Sequence, residues 1–329
     1  MYKTLLKYYL KQGSPAQAFR IATETLSALQ RVPFVRAIVR IRYKNRIQPG
    51  EKREIFGLEF RNPVGLAASI DTEGRFYNIL SDFGFSFVEI GPLSYVEQDY
   101  NTPAKHYLGV KKAIEHLRRS KPDCIIAGNI SRSPQSHGPD IVRDYEQAFA
   151  LLYDFVDMVV INPDCSAEKQ VISSGDSKPE ENENGISELS DVIDKLMTMR
   201  LYYDSNKPVL VRITPEITHS QTDEIIECCL TSGIDGVVAG STKWDDFSDG
   251  NGKFAKSLDL IRYIREKSRS LLPIIGVGGV VNSNLAKAML DAGASLLEVS
   301  TGFFLEGPSI VKNIVNNLPE ISDSGNNYK

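Results

Sequence analysis

The 329-residue sequence has only four cysteines, four histidines and one tryptophan, and each scarcity removes a class of function. Cys124, Cys165, Cys228 and Cys229 form no C-x-x-C pair, and no histidine stands at ligand spacing from a cysteine, so no metal site is expected. Cys228-Cys229 falls in a helical pattern and reads as packing. There is no signal-peptide pattern and no span of eighteen apolar residues, which leads to the expectation of a reduced, cytoplasmic setting. Low-complexity tracts are also missing. What remains is an ordinary globular composition, 42% hydrophobic and 24% charged, long enough for a large core.

Charge is scarce overall, at −4, but unevenly spread. Residues 1–53 hold twelve Lys/Arg against Glu24 and Glu51, and the rest of the chain holds 26 against 40 acidic residues. A basic segment joined to an acidic body suggests that the segment has its own partner, an anionic surface being the obvious candidate. Tyr2, Leu5, Leu6, Tyr9 and Leu10 recur at helical spacing with Lys3, Lys7 and Lys11 off that stripe, giving a basic amphipathic helix. Ser14-Pro15-Ala16-Gln17 then supplies an N-cap, a proline at the first helical position and a capping-box glutamine, opening a second helix to about Leu29. This two-helix extension over residues 1–45 either packs on the body or, through residues 1–40, meets a membrane surface; peripheral association with the inner face of a membrane is the expectation.

From about residue 58 short apolar runs alternate with amphipathic helices. Candidate strands are Pro63–Ala68, Phe87–Ile90, Cys124–Ile130, Met158–Asn162, Val209–Ile213, Gly236–Ala239, Pro273–Gly276 and Leu296–Val299, with helices predicted near 74–83, 108–119, 139–153, 187–203, 219–232, 256–267, 282–291 and 308–317. Eight strand–helix units match a (β/α)8 TIM barrel over residues 46–329; a doubly wound sheet stays open, because periodicity does not show closure. In a barrel the chemistry lies just past the strand ends. That rim reads as amides, hydroxyls and glycines with one interior cation, Arg212, and one thiol, Cys165, a lining that suits a polar planar cofactor better than paired metals or paired carboxylates. The run Gly276-Val277-Gly278-Gly279 and the turn Ser300-Thr301-Gly302 follow consecutive strands near the C-terminus, where barrels of this kind hold a phosphate.

At these residues the chain resembles the dihydroorotate dehydrogenases, specifically the membrane-associated, quinone-using class. The resemblance runs through Phe56-Gly57-Leu58-Glu59-Phe60-Arg61-Asn62-Pro63-Val64-Gly65-Leu66-Ala67-Ala68, Gly84-Phe85 with Val88-Glu89-Ile90-Gly91, Pro273–Gly279, and Gly293-Ala294-Ser295-Leu296 leading to Thr301-Gly302-Phe303. It implies an FMN cofactor with Gly278, Gly279, Ser300, Thr301 and Gly302 at its phosphate, Ala67 and Ala68 against the flavin, and Asn129 and Arg212 at the ring or ribityl chain. It places the substrate at Asn162, Ser241 and Thr242. It also implies Cys165 as the base that removes a substrate proton while hydride passes to the flavin, electrons then going to a quinone in pyrimidine biosynthesis. No nucleic-acid partner is expected.

The sequence departs from the family pattern in several places. Arg212 stands where lysine is usual, and Cys165 is the base residue of the soluble class, where the quinone class has serine. Thr72 replaces a lysine, Pro92 a threonine, Ser166-Ala167 a Pro-Asn, and Ser241 an asparagine. The alternative to dihydroorotate oxidation is therefore a diverged paralogue that keeps the flavin or phosphate site but acts on another substrate or is inactive. A polar stretch from Glu168 to Glu188 reads either as a lid over the barrel mouth or as a surface loop.

Overall fold

The computed structural model describes residues 15–46, 52–95, 108–133, 136–163, 183–203, 206–241 and 250–318. The basic helix expected at residues 2–10, Cys165, Thr242 and residues 168–182 of the polar stretch lie outside them. Two helices come first, α1 (Pro15–Arg31) and α2 (Pro33–Arg42), followed by a hairpin of β1 (Arg53–Ile55) and β2 (Leu58–Phe60). The body then alternates: β3 (Val64–Asp71), α3 (Tyr77–Asp82), β4 (Phe87–Ser94), β5 (Leu108–Gly109), α4 (Val110–Arg119), β6 (Ile125–Ile130), α5 (Pro139–Leu152), β7 (Met158–Ile161), α6 (Glu183–Arg200), β8 (Val209–Ile213), α7 (His219–Ser232), β9 (Gly236–Gly240), α8 (Gly250–Lys267), β10 (Ile274–Val277), α9 (Ser283–Ala292), β11 (Leu296–Val299), α10 (Thr301–Glu306) and α11 (Ile310–Val315).

The parallel strands pair in the order β3, β11, β10, β9, β8, β7, β6, β4, and β3 also pairs with β4. That last pairing closes an eight-stranded barrel and removes the doubly wound alternative, whose sheet would have two free edges. Strand composition explains the packing. Outward residues such as Val88, Val159 and Val211 meet the helices in one large core, while inward residues, among them Ala67, Phe87, Ala127, Val160, Leu210 and Val277, form a second cluster inside the barrel. Gly65 faces the Phe87 ring so closely that any side chain there would collide with it.

The hairpin closes the bottom of that lumen. Its two-residue loop, Phe56-Gly57, has positive φ at both positions (57° and 75°), the conformation that matches strand twist in a tight hairpin. Phe56 holds this costly backbone geometry because its ring fills the space over Gly236, and Phe60 packs edge-on to Phe87 with ring centroids 5.5 Å apart.

Most predicted strands are found within a residue or two of their bounds. β4 is longer than expected, running on to Ser94, because a register shift between Ile90 and Leu93 carries the strand past Pro92 to pair with β5 and β6. The end of the polar stretch, from Glu183 to Glu188, forms the first turns of α6 rather than a loop. Helix α2 was not anticipated, although Pro33 at its first turn is a start signal.

α2 also corrects the reading of the basic segment. Arg36 and Arg40 lie 2.7 and 2.8 Å from the carboxylate of Asp82, which is fully buried; Arg40 and Lys44 also hold Asp123 at 2.8 and 2.9 Å. Part of the excess positive charge is therefore answered by the barrel itself. The opposite face of α2 is different: Phe34, Ile38 and Ile41, spaced one and two turns apart, are 68%, 60% and 60% exposed.

Candidate active site

The C-terminal ends of the strands form the barrel mouth, and the sequence places small or polar residues there. On one side, two successive alanines, Ala67 and Ala68, both buried, keep β3 free of long side chains. Two strands along the barrel, β10 is followed by Gly278 (φ 113°) and Gly279 (φ 72°), a positive-φ turn that only glycine adopts without strain. The chain after β11 enters α10 through Ser300, whose side chain caps no helix N–H. Gly302 lies directly against the Val280 carbonyl, which joins the two turns and leaves no room for a side chain. Among the described residues the backbone N–H groups of Gly278, Gly279, Thr301 and Gly302 donate to no loop carbonyl, as first-turn and glycine-turn donors commonly do not. Ser241, expected at the substrate, is buried with its backbone beside Gly278, on this same side.

The remaining expected residues meet below the mouth. Arg212, only 4% exposed, points into the lumen, where its NH2 group lies 2.8 Å from Glu89 Oε1 and 3.4 Å from Glu298 Oε2. Asn129 donates from Nδ2 to the same Glu89 Oε1, and Asn162 donates from Nδ2 to Asn129 Oδ1 at 3.2 Å. Tyr145 holds the Asn162 backbone carbonyl at 2.8 Å. Burial alone would raise both glutamates. The charge of Arg212 and hydrogen bonds from Glu298, Asn129 and Arg212 nevertheless take Glu89 below the ordinary carboxylate range. Burial, the neighbouring Glu89 charge and the hydrogen bond to it push Glu298 well above that range. The lumen thus sets one guanidinium against two carboxyl groups whose pKa values are pushed apart, Glu89 downward and Glu298 upward. Neither glutamate was among the expected site residues. The signal was a single charged residue in each of three otherwise apolar strand cores, Phe87-Val88-Glu89-Ile90, Val209-Leu210-Val211-Arg212-Ile213 and Leu296-Leu297-Glu298-Val299: a charge buried in a strand requires a partner.

A third group stands at the end of β3. Asp71 is buried and accepts the backbone N–H groups of Arg75 and Phe76 at 2.7 and 2.8 Å, yet burial outweighs these bonds and raises its pKa to about 6. A carboxyl raised from 3.8 stabilises the fold below pH 4 and loses that contribution as pH rises through 6, a loss of about 3 kcal/mol. Asp71→Asn is expected to flatten the pH dependence of urea unfolding between pH 4 and 6 by about this amount; an unchanged slope would show that Asp71 does not titrate there.

Comparison with known proteins decides the family. The family model described as dihydroorotate dehydrogenase matches residues 106–321. The chain belongs to the dihydroorotate dehydrogenase family. Its relatives include the protein named dihydroorotate dehydrogenase (quinone) of Christiangramia forsetii, 30% identical over 342 residues and covering 95% of this chain and 97% of the relative. The protein of the same name from Proteus mirabilis is 28% identical, covering 97% and 100%. Among solved structures, the ligand-free dihydroorotate dehydrogenase of Eimeria tenella superposes with a TM-score of 0.73 at 19% identity, covering 92% of this chain and 93% of that one, which shows the shared barrel. Arg212, expected at the cofactor, turns toward two buried carboxyl groups. Of the other residues carried over from the family, Asn129 and Asn162 are joined to Arg212 through Glu89, while Gly278, Gly279, Thr301 and Gly302 are joined through Val280.

Proposed function

We propose that this dihydroorotate dehydrogenase family member binds FMN and oxidises dihydroorotate to orotate, with a quinone as electron acceptor. The observation that carries the reading is the pair of loops after β10 and β11, locked together at Gly302 and Val280, in which the N–H groups of Gly278, Gly279, Thr301 and Gly302 donate to no carbonyl among the described residues. The rest of the mouth fits the same cofactor: Ser131 Oγ, Thr214 Oγ1 and Arg212 Nε are buried there without a partner among the described residues, and a polar heterocycle with a ribityl chain supplies partners for such groups. When bound, FMN supplies a hydride acceptor and passes electrons on.

In this reading Gly278, Gly279, Ser300, Thr301 and Gly302 hold the phosphate. Ala67 and Ala68 bound the flavin, and Asn129 and Arg212 address its ring or ribityl chain. Asn162, Ser241 and Thr242 orient the substrate, and Cys165, as thiolate, takes the proton from the substrate carbon next to the one that loses hydride. The diverged-paralogue alternative is not favoured, since the relatives over nearly the full length carry the quinone enzyme's name. Purified protein should carry about one FMN per chain, and anaerobic dihydroorotate should bleach the flavin absorbance; retained colour at saturating substrate would reject the proposed reaction.

Residues 1–45 are the proposed membrane and quinone contact, and residues 46–329 the FMN-binding barrel. Among the described residues no helix is long and apolar enough to cross a membrane. The exposed face formed by Phe34, Ile38 and Ile41 supports peripheral contact instead, because the arginines of α2 fix the other face to the barrel. Sedimentation with anionic vesicles is expected to weaken in high salt and to fall several-fold on substitution of Phe34, Ile38 and Ile41 by serine. Equal binding by wild type and the triple variant would exclude this face as the contact.

A further inference from the structure

We propose that Glu89 is a positioning residue that fixes which way the side-chain amides of Asn129 and Asn162 point, so that Asn162 offers an acceptor, its carbonyl oxygen, to a ring N–H of the bound pyrimidine. This rests on the function proposed above. The argument starts from what each group can donate. An ionised carboxylate only accepts, so the amide that meets Glu89 Oε1 must turn its nitrogen toward it, as Asn129 does. The carbonyl end of Asn129 then faces outward and accepts from Asn162 Nδ2 at 3.2 Å. A primary amide that turns its nitrogen inward turns its oxygen out. Asn162 Oδ1 takes no partner among the described residues and is not sealed from solvent, and the residue is half-buried at the mouth.

Amide oxygen and nitrogen have nearly the same size, so without a fixed acceptor at the inner end either asparagine can rotate by half a turn and present a donor instead. Arg212 holds that acceptor in place: its NH2 donates to the same Oε1 atom at 2.8 Å, and the same nitrogen donates to Glu298 Oε2 at 3.4 Å. The charge sits two residues inside the barrel, yet its orienting effect reaches the rim through two hydrogen bonds. Glu89 touches neither cofactor nor substrate in this scheme.

The first test needs no substrate. In the full chain with 15N-labelled asparagine, two side-chain amides, those of Asn129 and Asn162, should exchange with solvent at least about tenfold more slowly than the exposed ones. They should keep this protection in Glu89→Gln, whose oxygen accepts the same two hydrogen bonds, and lose it in Glu89→Leu. In Glu89→Leu the Glu298 carboxyl group remains beside Arg212 at 3.4 Å. The second test compares dissociation constants of orotate and a ring-N-methylated orotate on the FMN-loaded enzyme. Wild type and Glu89→Gln should disfavour the methylated ligand by about tenfold or more, and Glu89→Leu by a clearly smaller factor. The methyl group's bulk is common to all three, so the change between variants isolates the amide's orientation. Full discrimination and full protection in a folded Glu89→Leu protein would overturn the proposal, as would the lack of any slow amide pair in the wild type. If Glu89→Leu does not fold, Asn129→Leu takes its place, with loss of Asn162 protection expected and its persistence overturning the relay. If orotate does not bind wild type at all, the proposed reaction fails and the exchange result alone decides the role of Glu89.

Discussion

Arg212→Met is expected to destabilise the protein by about 3–5 kcal/mol at pH 7, among the largest effects available to a single substitution in this barrel. The guanidinium is the only cation in contact with Glu89 and Glu298 among the described residues, and both carboxyl groups are fully buried. Removing it leaves Glu89 in a low-dielectric lumen with no compensating charge, so the carboxylate either stays ionised at high cost or takes up a proton that the unfolded chain would release. The sign of the pH dependence follows. In wild type Glu89 lies below its ordinary range; in the variant it rises above it, so the variant is relatively more stable in acid and loses ground as pH climbs. Urea unfolding followed by circular dichroism should show a smaller deficit at pH 5 than at pH 8. A deficit under about 1 kcal/mol at every pH would mean that the three groups are not coupled as described. Replacing all three together with apolar residues of similar volume should recover most of the loss, because no charge is then stranded.

Under the proposed reaction, with Cys165 as its base, Cys165→Ser is expected to cut turnover of dihydroorotate by about 10²–10⁴-fold with little change in bound flavin. Serine keeps the shape of the side chain but is a far weaker acid, so the population of the basic form collapses at neutral pH. The wild-type rate should rise with pH around the thiol's ionisation, near 8.5 before any local shift, and that rise should move to much higher pH in the variant. The two consequences separate chemistry from folding: flavin content and the melting profile report the barrel, and the pH profile reports the base. A serine variant with wild-type turnover and the same pH profile would remove Cys165 from the reaction.

The barrel was legible in the sequence because parallel strands buried on both faces read as continuous apolar runs, and the helices between them carry regular stripes. Even so, closure could not be read; it depends on β3 meeting β4 and β11, a contact between segments more than 200 residues apart. The glycine turns after β10 and β11 were legible as a pattern, but the reason that Gly302 must be glycine, its contact with the Val280 carbonyl, is visible only in three dimensions. The interior triad was hidden for a related reason. Glu89, Arg212 and Glu298 each look like an isolated anomaly in a strand, and nothing in linear order shows that closure of the barrel makes them neighbours. The basic N-terminal segment misled in part: charge counting finds an excess of lysine and arginine, but it cannot tell the arginines that serve Asp82 from those that face outward.

The hairpin closes the lower end of the lumen with Phe56 and Phe60, so Glu89, Arg212 and Glu298, at most 4% exposed, are screened from below by aromatic side chains. The mouth is then the end at which an occupant changes their surroundings, and solvent exchange at the Arg212 guanidinium should slow further when a ligand fills it.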